Sequence, residues 1–380
     1  MEIKQAADNL KRVVKQATAG LVEREIVIDL IILAAVAQEH LLIIGPPGTA
    51  KSAAVRRVAT ALGGNYFEYL LGRFTEPSEL FGPVDLRKLQ EGIIETATDG
   101  MLPEAEIAFL DEVFLGSTAI LNTLLTLLNE RKFKRGHTRL DCPLRVCVGA
   151  SNQLPEEETL HAFADRFLVH AFVEPVPDFA LEDLLQQGRK TLWSNSETET
   201  ENGLQSLDQL TRHAMSLDSS PIQERLAEAI RLLRKEGIDL SDRRIVKSQA
   251  LINAAAALAG REIPGGADLW PLIYVIPTSE AQQTAREVLR DLLDATENNT
   301  LSAAAEHASK GPLARAQRLL EKGEQLLNTP AEQRSKLEVE ALGREIDAGF
   351  PLDGMPEPLR KLREQLLVLC TEIGTENAGF

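Results

Sequence analysis

The segment that most limits what this chain can become is Gly45-Pro-Pro-Gly-Thr-Ala-Lys51-Ser52, lying between a wholly apolar run, His40 to Ile44, and a helical pattern from Lys51 to about Leu62. A short apolar run that stops at glycine and proline predicts a strand buried on both faces, the kind found in parallel sheets covered by helices. In such a strand–turn–helix the backbone N–H groups of the turn and the helix N-terminus form a cradle for phosphate oxygens. Gly45, Pro46, Pro47, Gly48, Thr49, Ala50, Lys51, Ser52 and Ala53 are therefore the candidate nucleotide-binding residues. The amides would take the α/β-phosphates, Lys51 would reach the β/γ-phosphates, and the Ser52 hydroxyl would ligate Mg2+. Where such loops usually carry a second glycine this one has Ala50. An alanine is expected there only at negative φ, so the helix is predicted to start at Ala50.

Tyr66 to Leu71, Ile107 to Leu110, Leu144 to Ala150 and Phe167 to Val173 repeat the short apolar pattern, with helical or loop segments between them. The fold class expected is an α/β P-loop core, a parallel five-stranded sheet between helices. Two helices broken at Gly20 precede it, and two insertions interrupt it. Phe81 to Gly100 holds an extended stretch at Ile93 to Thr96, and Lys132 to Cys142 predicts a hairpin around Arg135-Gly136-His137. Beyond Pro175 and Pro177 only helical periodicity remains, with an acidic surface loop expected at Ser194 to Gly203 and a Pro/Gly-rich turn at Pro351 to Pro358. The expected division is 1–175 for the nucleotide-binding core with its N-terminal helices, 176–278 for an all-α lid, and 279–380 for a helical extension.

The apolar strand Ile107-Ala-Phe-Leu ends in Asp111-Glu112. Beside a phosphate loop, Asp111 would hold the Mg2+ shell, largely through water, and Glu112 would polarise the attacking water. Adjacent acids are usually a solvated pair, and the buried strand is what argues otherwise. Asn152, in the Ser151-Asn152 pair that follows the apolar run Val146-Cys-Val-Gly-Ala, could orient water or the γ-phosphate by the same strand-end logic.

Bulk properties exclude several classes. A formal charge of -16 repels phosphate backbones, so nucleic acid is a poor partner and a protein client a better one. The basic hairpin residues Lys132, Lys134, Arg135, His137 and Arg139 are more readily paired with nearby carboxylates, or used to grip a protein, than laid on nucleic acid. Three cysteines, Cys142, Cys147 and Cys370, form no CxxC pair and suit buried reduced thiols in the cytoplasm. No apolar leader is visible, and the longest apolar stretch, Ile26 to Ala37, is broken by Asp29 and too short for a membrane span. His40, His161 and His170 lack metal-ligand spacing, so Mg2+ is the only metal expected.

GPPGTAKS, FLDE, ILNTLLTLLNERKF, ASNQLPE, ADRF and SDRR occur in an order that resembles the MoxR branch of AAA+ ATPases, especially its RavA subgroup, over about residues 5–275. The resemblance implies an ATP hydrolase that works as a homo-oligomer, a hexameric ring binding ATP/ADP and Mg2+. It implies Asn152 as the first sensor, Arg166 as an arginine finger and Arg243 as the second sensor, with Arg244 a rival for that role. It further implies remodelling or assembly of protein complexes in the manner of a chaperone, with a von Willebrand factor A domain protein as partner. A slow-turnover assembly scaffold or switch is the alternative, and a nucleic-acid motor is disfavoured by charge. Arg166 precedes the last predicted strand, which places it on the domain flank rather than over its own phosphate loop. An ordinary salt bridge to Asp165 is the plain alternative for it.

Overall fold

The predicted apolar runs pair into one parallel sheet. The structure is a computed structural model that describes residues 3–193, 202–310, 312–328, 336–350 and 355–376. Nearly all of the acidic stretch expected as a loop at 194–203, and residues 351–354 of the later turn, lie outside the described residues. The strands are β1 (Leu41–Ile44), β2 (Tyr66–Leu70), β3 (Ile107–Asp111), β4 (Lys132–Arg135), β5 (Thr138–Asp141), β6 (Val146–Ser151) and β7 (Val169–Phe172). The sheet runs β2-β3-β6-β1-β7, every pair parallel, and β4 with β5 forms the separate antiparallel hairpin.

Parallel pairing aligns the strand ends. Ile44 faces Ser151 on one side and Phe172 on the other, and Leu110 faces Gly149. The residues after β1, β3 and β6 therefore share one edge of the sheet, where crevices for ligands form in open parallel sheets. The residues before β1 and β7 share the opposite edge.

Side chains alternate between two cores, as a period of two requires. Leu41 and Ile43 join the first, with α1 (Ile3–Thr18), α2 (Glu25–Val36), α3 (Lys51–Leu62) and the lid helices Gly203–Ser216 and Asp242–Leu258. Lying between the sheet and other helices, α2 buries every residue from Val27 to Val36, which is why its sequence shows so little polar stripe. Leu42 and Ile44 point into the second core, with the helix Thr118–Glu130 and the insertions. Phe81 of the first insertion stacks on Phe133 of the hairpin at 5.5 Å. His137 N donates to Ile94 O at 2.9 Å and Thr96 N to Thr138 Oγ1 at 2.7 Å, so the two insertions form one body.

The first core continues past residue 279 through Ala285, Leu289, Leu301, Ala304, Ala305 and Ala308. A separate apolar cluster begins at Ala316, built by helices Pro312–Asn328, Lys336–Gly349 and Glu357–Glu376. Buried polar groups account for the continuity. Asp29, 2% exposed, accepts from Ala304 N at 2.9 Å, and Tyr274 OH donates to Ala304 O at 2.9 Å. Without the helix Ser302–Ser309 both groups would lose these partners, and the apolar core it covers would be opened to water. A chain ending at Thr278 should accordingly melt roughly 10 °C or more below the full chain, whereas one ending at Lys310 should melt close to it. Equal melting points for the two truncations in a thermal scan would show that this helix is not part of the folding unit.

His40, just before β1, is buried, with Nδ1 accepting from Cys147 N at 3.1 Å and Nε2 donating to Leu128 O at 2.9 Å. Burial, reinforced by the Arg131 charge, pulls its pKa from 6.5 to about 3. Below about 6.5 the unfolded chain takes up a proton here that the folded chain refuses, so this contribution to stability is whole above that pH and lost as pH falls. The stability deficit of His40→Gln should therefore shrink by about 2 kcal/mol between about pH 7.5 and pH 5. Denaturant titrations of parent and variant at both pH values measure it.

Candidate nucleotide site

The phosphate loop leaves the sheet through a gap that admits only glycine. Gly45 N donates to Ser151 O at 3.1 Å, and a Cβ on Gly45 would stand 2.2 Å from Val173 O. Gly48 follows at φ +78, and Thr49 Oγ1 donates to Pro46 O at 2.9 Å. The expectation for Ala50 is overturned. Its φ is +58 and α3 starts at Lys51. The turn needs left-handed backbone at 48 and again at 50 to present its amides inward as a nest, and the alanine adopts that conformation against its Cβ.

Lys51 Nζ donates to Gly45 O at 2.7 Å and Pro46 O at 3.0 Å, so the ammonium lies folded over its own loop. Burial lowers its pKa, opposed by the carboxylates of Asp111 and Glu112. Glu112 sits in the left-handed region at φ +49, and its N donates to Asp111 Oδ1 at 3.1 Å. Asn152 Nδ2 donates to Glu112 Oε1 at 2.7 Å. Burial first, then the Asp111 charge, raises the pKa of Glu112, with Lys51 acting the other way. Lys51, Asp111, Glu112 and Asn152 thus meet at one edge, with β6 placing Asn152 between the other two strand ends.

The donor set suits Mg2+. Among the described residues no group of three or more His, Cys, Asp or Glu could hold a metal, so protein ligands alone would not trap one. A hydroxyl from Ser52 and a carboxylate from Asp111 are the hard oxygen donors that Mg2+ accepts alongside phosphate and retained water.

One contributor has no signal in the sequence. Arg24, 5% exposed, donates from Nε to Thr49 O at 2.6 Å and from Nη2 to Glu174 O at 3.1 Å, holding the loop from behind. A single cation at a break between helices has no periodicity to mark it.

The arginines lie elsewhere. Arg166 follows the helix Glu158–Ala164 and precedes β7, at the opposite edge of the sheet. Arg243 Nη2 donates to Asn129 Oδ1 at 3.0 Å, and its Nη1 stands 4.0 Å from Asp165 Oδ2. Strands rise about 3.3 Å per residue, so the length of β7 separates this group from the phosphate loop. Arg244 is buried, with its donors taken up inside the protein. In the hairpin, Lys132 and Lys134 lie 4.0 and 3.6 Å from Asp141 and Glu130, matching the expected pairing with carboxylates. Cys142 and Cys147 are buried, and burial pushes their pKa up to about 11 and about 12.

A parallel sheet with the phosphate loop after β1, an acidic pair after β3 and an asparagine after the strand between them defines a P-loop nucleotide-binding protein of the AAA+ class. Residues 8–212 match the family described as the MoxR domain in the MoxR-vWA-beta-propeller ternary systems, and the chain belongs to the MoxR family of AAA+ ATPases. Two uncharacterised proteins of Methanocaldococcus jannaschii are each 37% identical to it, over 255 and 253 residues, covering 67% and 66% of this chain. The chain spans 67% and 66% of the lengths of those relatives. A structural protein of Acidianus two-tailed virus is 30% identical over 164 residues, 42% of this chain and 26% of the viral protein. In fold, a candidate ATPase from Cytophaga hutchinsonii aligns with a TM-score of 0.61 at 15% identity, covering 78% of this chain and 96% of that one. No helix among the described residues is long and apolar enough to cross a membrane.

Relieving the backbone at Ala50 tests the loop geometry. Ala50→Gly should stabilise the fold by about 0.5–1 kcal/mol, the left-handed cost to alanine less the greater unfolded-state entropy of glycine, and leave nucleotide affinity within about twofold. Ala50→Val should lower stability, because a β-branched side chain tolerates that region less. Chemical denaturation ranking Val above Ala would mean that φ at 50 is negative.

Proposed function

We propose that this chain binds ATP with Mg2+ and hydrolyses it as a cytoplasmic ring of identical subunits, hexameric by resemblance, to remodel or assemble protein complexes. The observation that carries this reading is the separation of the site into two halves. Lys51, Ser52, Asp111, Glu112 and Asn152 occupy one edge of the sheet, while Arg166 and Arg243 occupy the other. Arginines so placed serve catalysis only if a neighbour in a head-to-tail ring brings its phosphate loop to them.

In that assembly the loop amides and Lys51 hold the phosphates, and Ser52 and Asp111 would hold Mg2+, which supplies neutralisation of phosphate charge. Glu112 accepts a proton from water as it attacks, a role that its raised basicity favours. Arg166 from the adjacent subunit stabilises charge spreading over the γ-phosphoryl oxygens, worth on the order of 10³–10⁵ in rate for such fingers. Arg243 acts from the same flank as the second sensor.

The partner we favour is a protein carrying a von Willebrand factor A domain, supported by the matched family's description as part of ternary systems with such a protein. That match favours the ternary-system context over the RavA subgroup that the motifs resemble. Nucleic acid is disfavoured by the charge of -16. The Asn152–Glu112 bond keeps the second reading, a slow-turnover scaffold, in view, because a base held by an amide is not yet directed at water. Turnover stimulated by a client supports the remodelling reading, and ATP-driven assembly without stimulation supports the scaffold.

Lys51→Ala should weaken nucleotide binding, and Glu112→Gln should bind ATP but fail to turn it over. Arg166→Ala should also be nearly inactive alone. Equal mixing of Arg166→Ala with Lys51→Ala, with subunit exchange, joins an intact Lys51 to an intact Arg166 at about a quarter of interfaces, and turnover should partly return. A mixture as inactive as its components, repeated with Glu112→Gln in place of Lys51→Ala to keep every pocket filled, would count against the shared site.

A further inference from the structure

Arg244 has no part in the site as described, yet it is only 4% exposed and all its donors are engaged. A guanidinium carries five N–H groups. Nε donates to Asp165 Oδ1 at 2.7 Å, and Nη1 to Leu168 O at 3.0 Å and to Val275 O. Nη2 donates to Phe167 O at 3.0 Å and to His170 Nε2 at 3.1 Å. His170 can accept because its Nδ1 donates to Pro277 O at 2.9 Å, and burial with the Arg244 charge pulls its pKa to about 4, keeping the ring neutral.

Three of these acceptors, on Asp165, Phe167 and Leu168, bracket Arg166. The Arg166 side chain has little of its own to hold it, since its buried Nε finds no partner. What is fixed is its surroundings, the Asp165 carboxylate before it and the Phe167 and Leu168 carbonyls after it, by one side chain on the lid helix Asp242–Leu258. That helix also carries Arg243, one residue away.

We propose that Arg244 is a positioning residue for Arg166: it ties the Asp165 carboxylate on one side of the finger and the Phe167 and Leu168 carbonyls on the other to the lid, so that finger and lid reach the neighbouring subunit's nucleotide as one rigid body. The proposal rests on the shared-site reading above. It makes the lid's position part of the neighbour's chemistry, because any lid displacement that moves Asp242–Leu258 moves the turn at 165–168 with it. Lysine cannot replace the clamp. Its three donors radiate from one nitrogen and cannot span acceptors on the turn, β7 and residue 275 at once.

The test uses the full chain carrying Arg244→Lys, with Arg166→Ala and Lys51→Ala as references. Arg244→Lys should lower kcat tenfold or more while KM and the affinity for a fluorescent ADP analogue stay within twofold, since its own pocket is intact. Mixing it with Lys51→Ala, whose subunits supply an undamaged Arg166 and Arg244, should restore turnover as it does for Arg166→Ala. Parental kcat in Arg244→Lys overturns the proposal. So does a loss that mixing fails to repair when the Arg166→Ala mixture is repaired, because the damage then lies in its own pocket. If Arg166→Ala turns ATP over at the parental rate, there is no finger to position and both readings fall. Should Arg244→Lys not fold, Asp165→Asn, which leaves the other four acceptors of Arg244 in place, is measured by the same kcat and mixing criteria.

Discussion

Strand β1 is hydrogen-bonded on both sides, to β6 and β7, and buried on both faces, and the rest of the site takes its position from that. Because the strand cannot shift register without turning its side chains into the wrong core, the residue after it is fixed to within a fraction of a residue. That residue meets Val173 O so closely that only glycine fits. The phosphate loop is therefore a rigid extension of the sheet rather than a surface loop, and Arg24 holds it from the far side through Thr49 O. Pre-organisation of this kind lets backbone amides bind anionic oxygens without first being ordered.

The same parallel alignment explains the electrostatics. Three strand ends bring a lysine, two carboxylates and an amide together in a partly buried place, and their pKa shifts express that proximity. Glu112 is lifted by burial and by Asp111, while Lys51 restrains it. The Asn152 amide donates to the same carboxylate at 2.7 Å.

The opposite edge has a different character. There the charged side chains are joined to one another and to backbone: Arg244 to Asp165, Lys247 to Glu39 at 2.6 Å, and Arg131 to Gln38 O at 2.6 Å. The first two of these bonds tie the lid to the sheet, while Arg166 Nε and Arg243 Nη1 on that flank are buried without a hydrogen bond. Beyond the lid, the helix Ser302–Ser309 belongs to the same core through Asp29 and Tyr274. The module from Ala316 onward attaches by polar contacts, Lys11 to Glu321 at 2.9 Å and Ser302 to the same glutamate at 2.5 Å.

Much of this was legible in the residues alone. Apolar runs of the right length between glycines and prolines identified all five parallel strands, since strands buried on both faces have no other simple composition, and GPPGTAKS, Asp111-Glu112 and Asn152 declared themselves by standing at their ends. The hairpin at 132–142 followed from its turn. What remained undetermined shares one cause, that it depends on which segments meet in space. The sign of φ at Ala50 was misjudged because local steric preference favours negative values, and only the closed cradle imposes the other. Arg244 could not be told from Arg243 by position in SDRR, because a one-residue step on a helix decides which reaches the buried carbonyls of Phe167 and Leu168 and which reaches Asn129. Arg24 had no pattern to betray it, and the continuity of the core across residue 279 rests on Asp29 and Tyr274 finding partners hundreds and tens of residues away. Local chemistry wrote the strands and the phosphate loop; long-range pairing of buried polar groups decided where the lid, the arginines and the C-terminal helices sit.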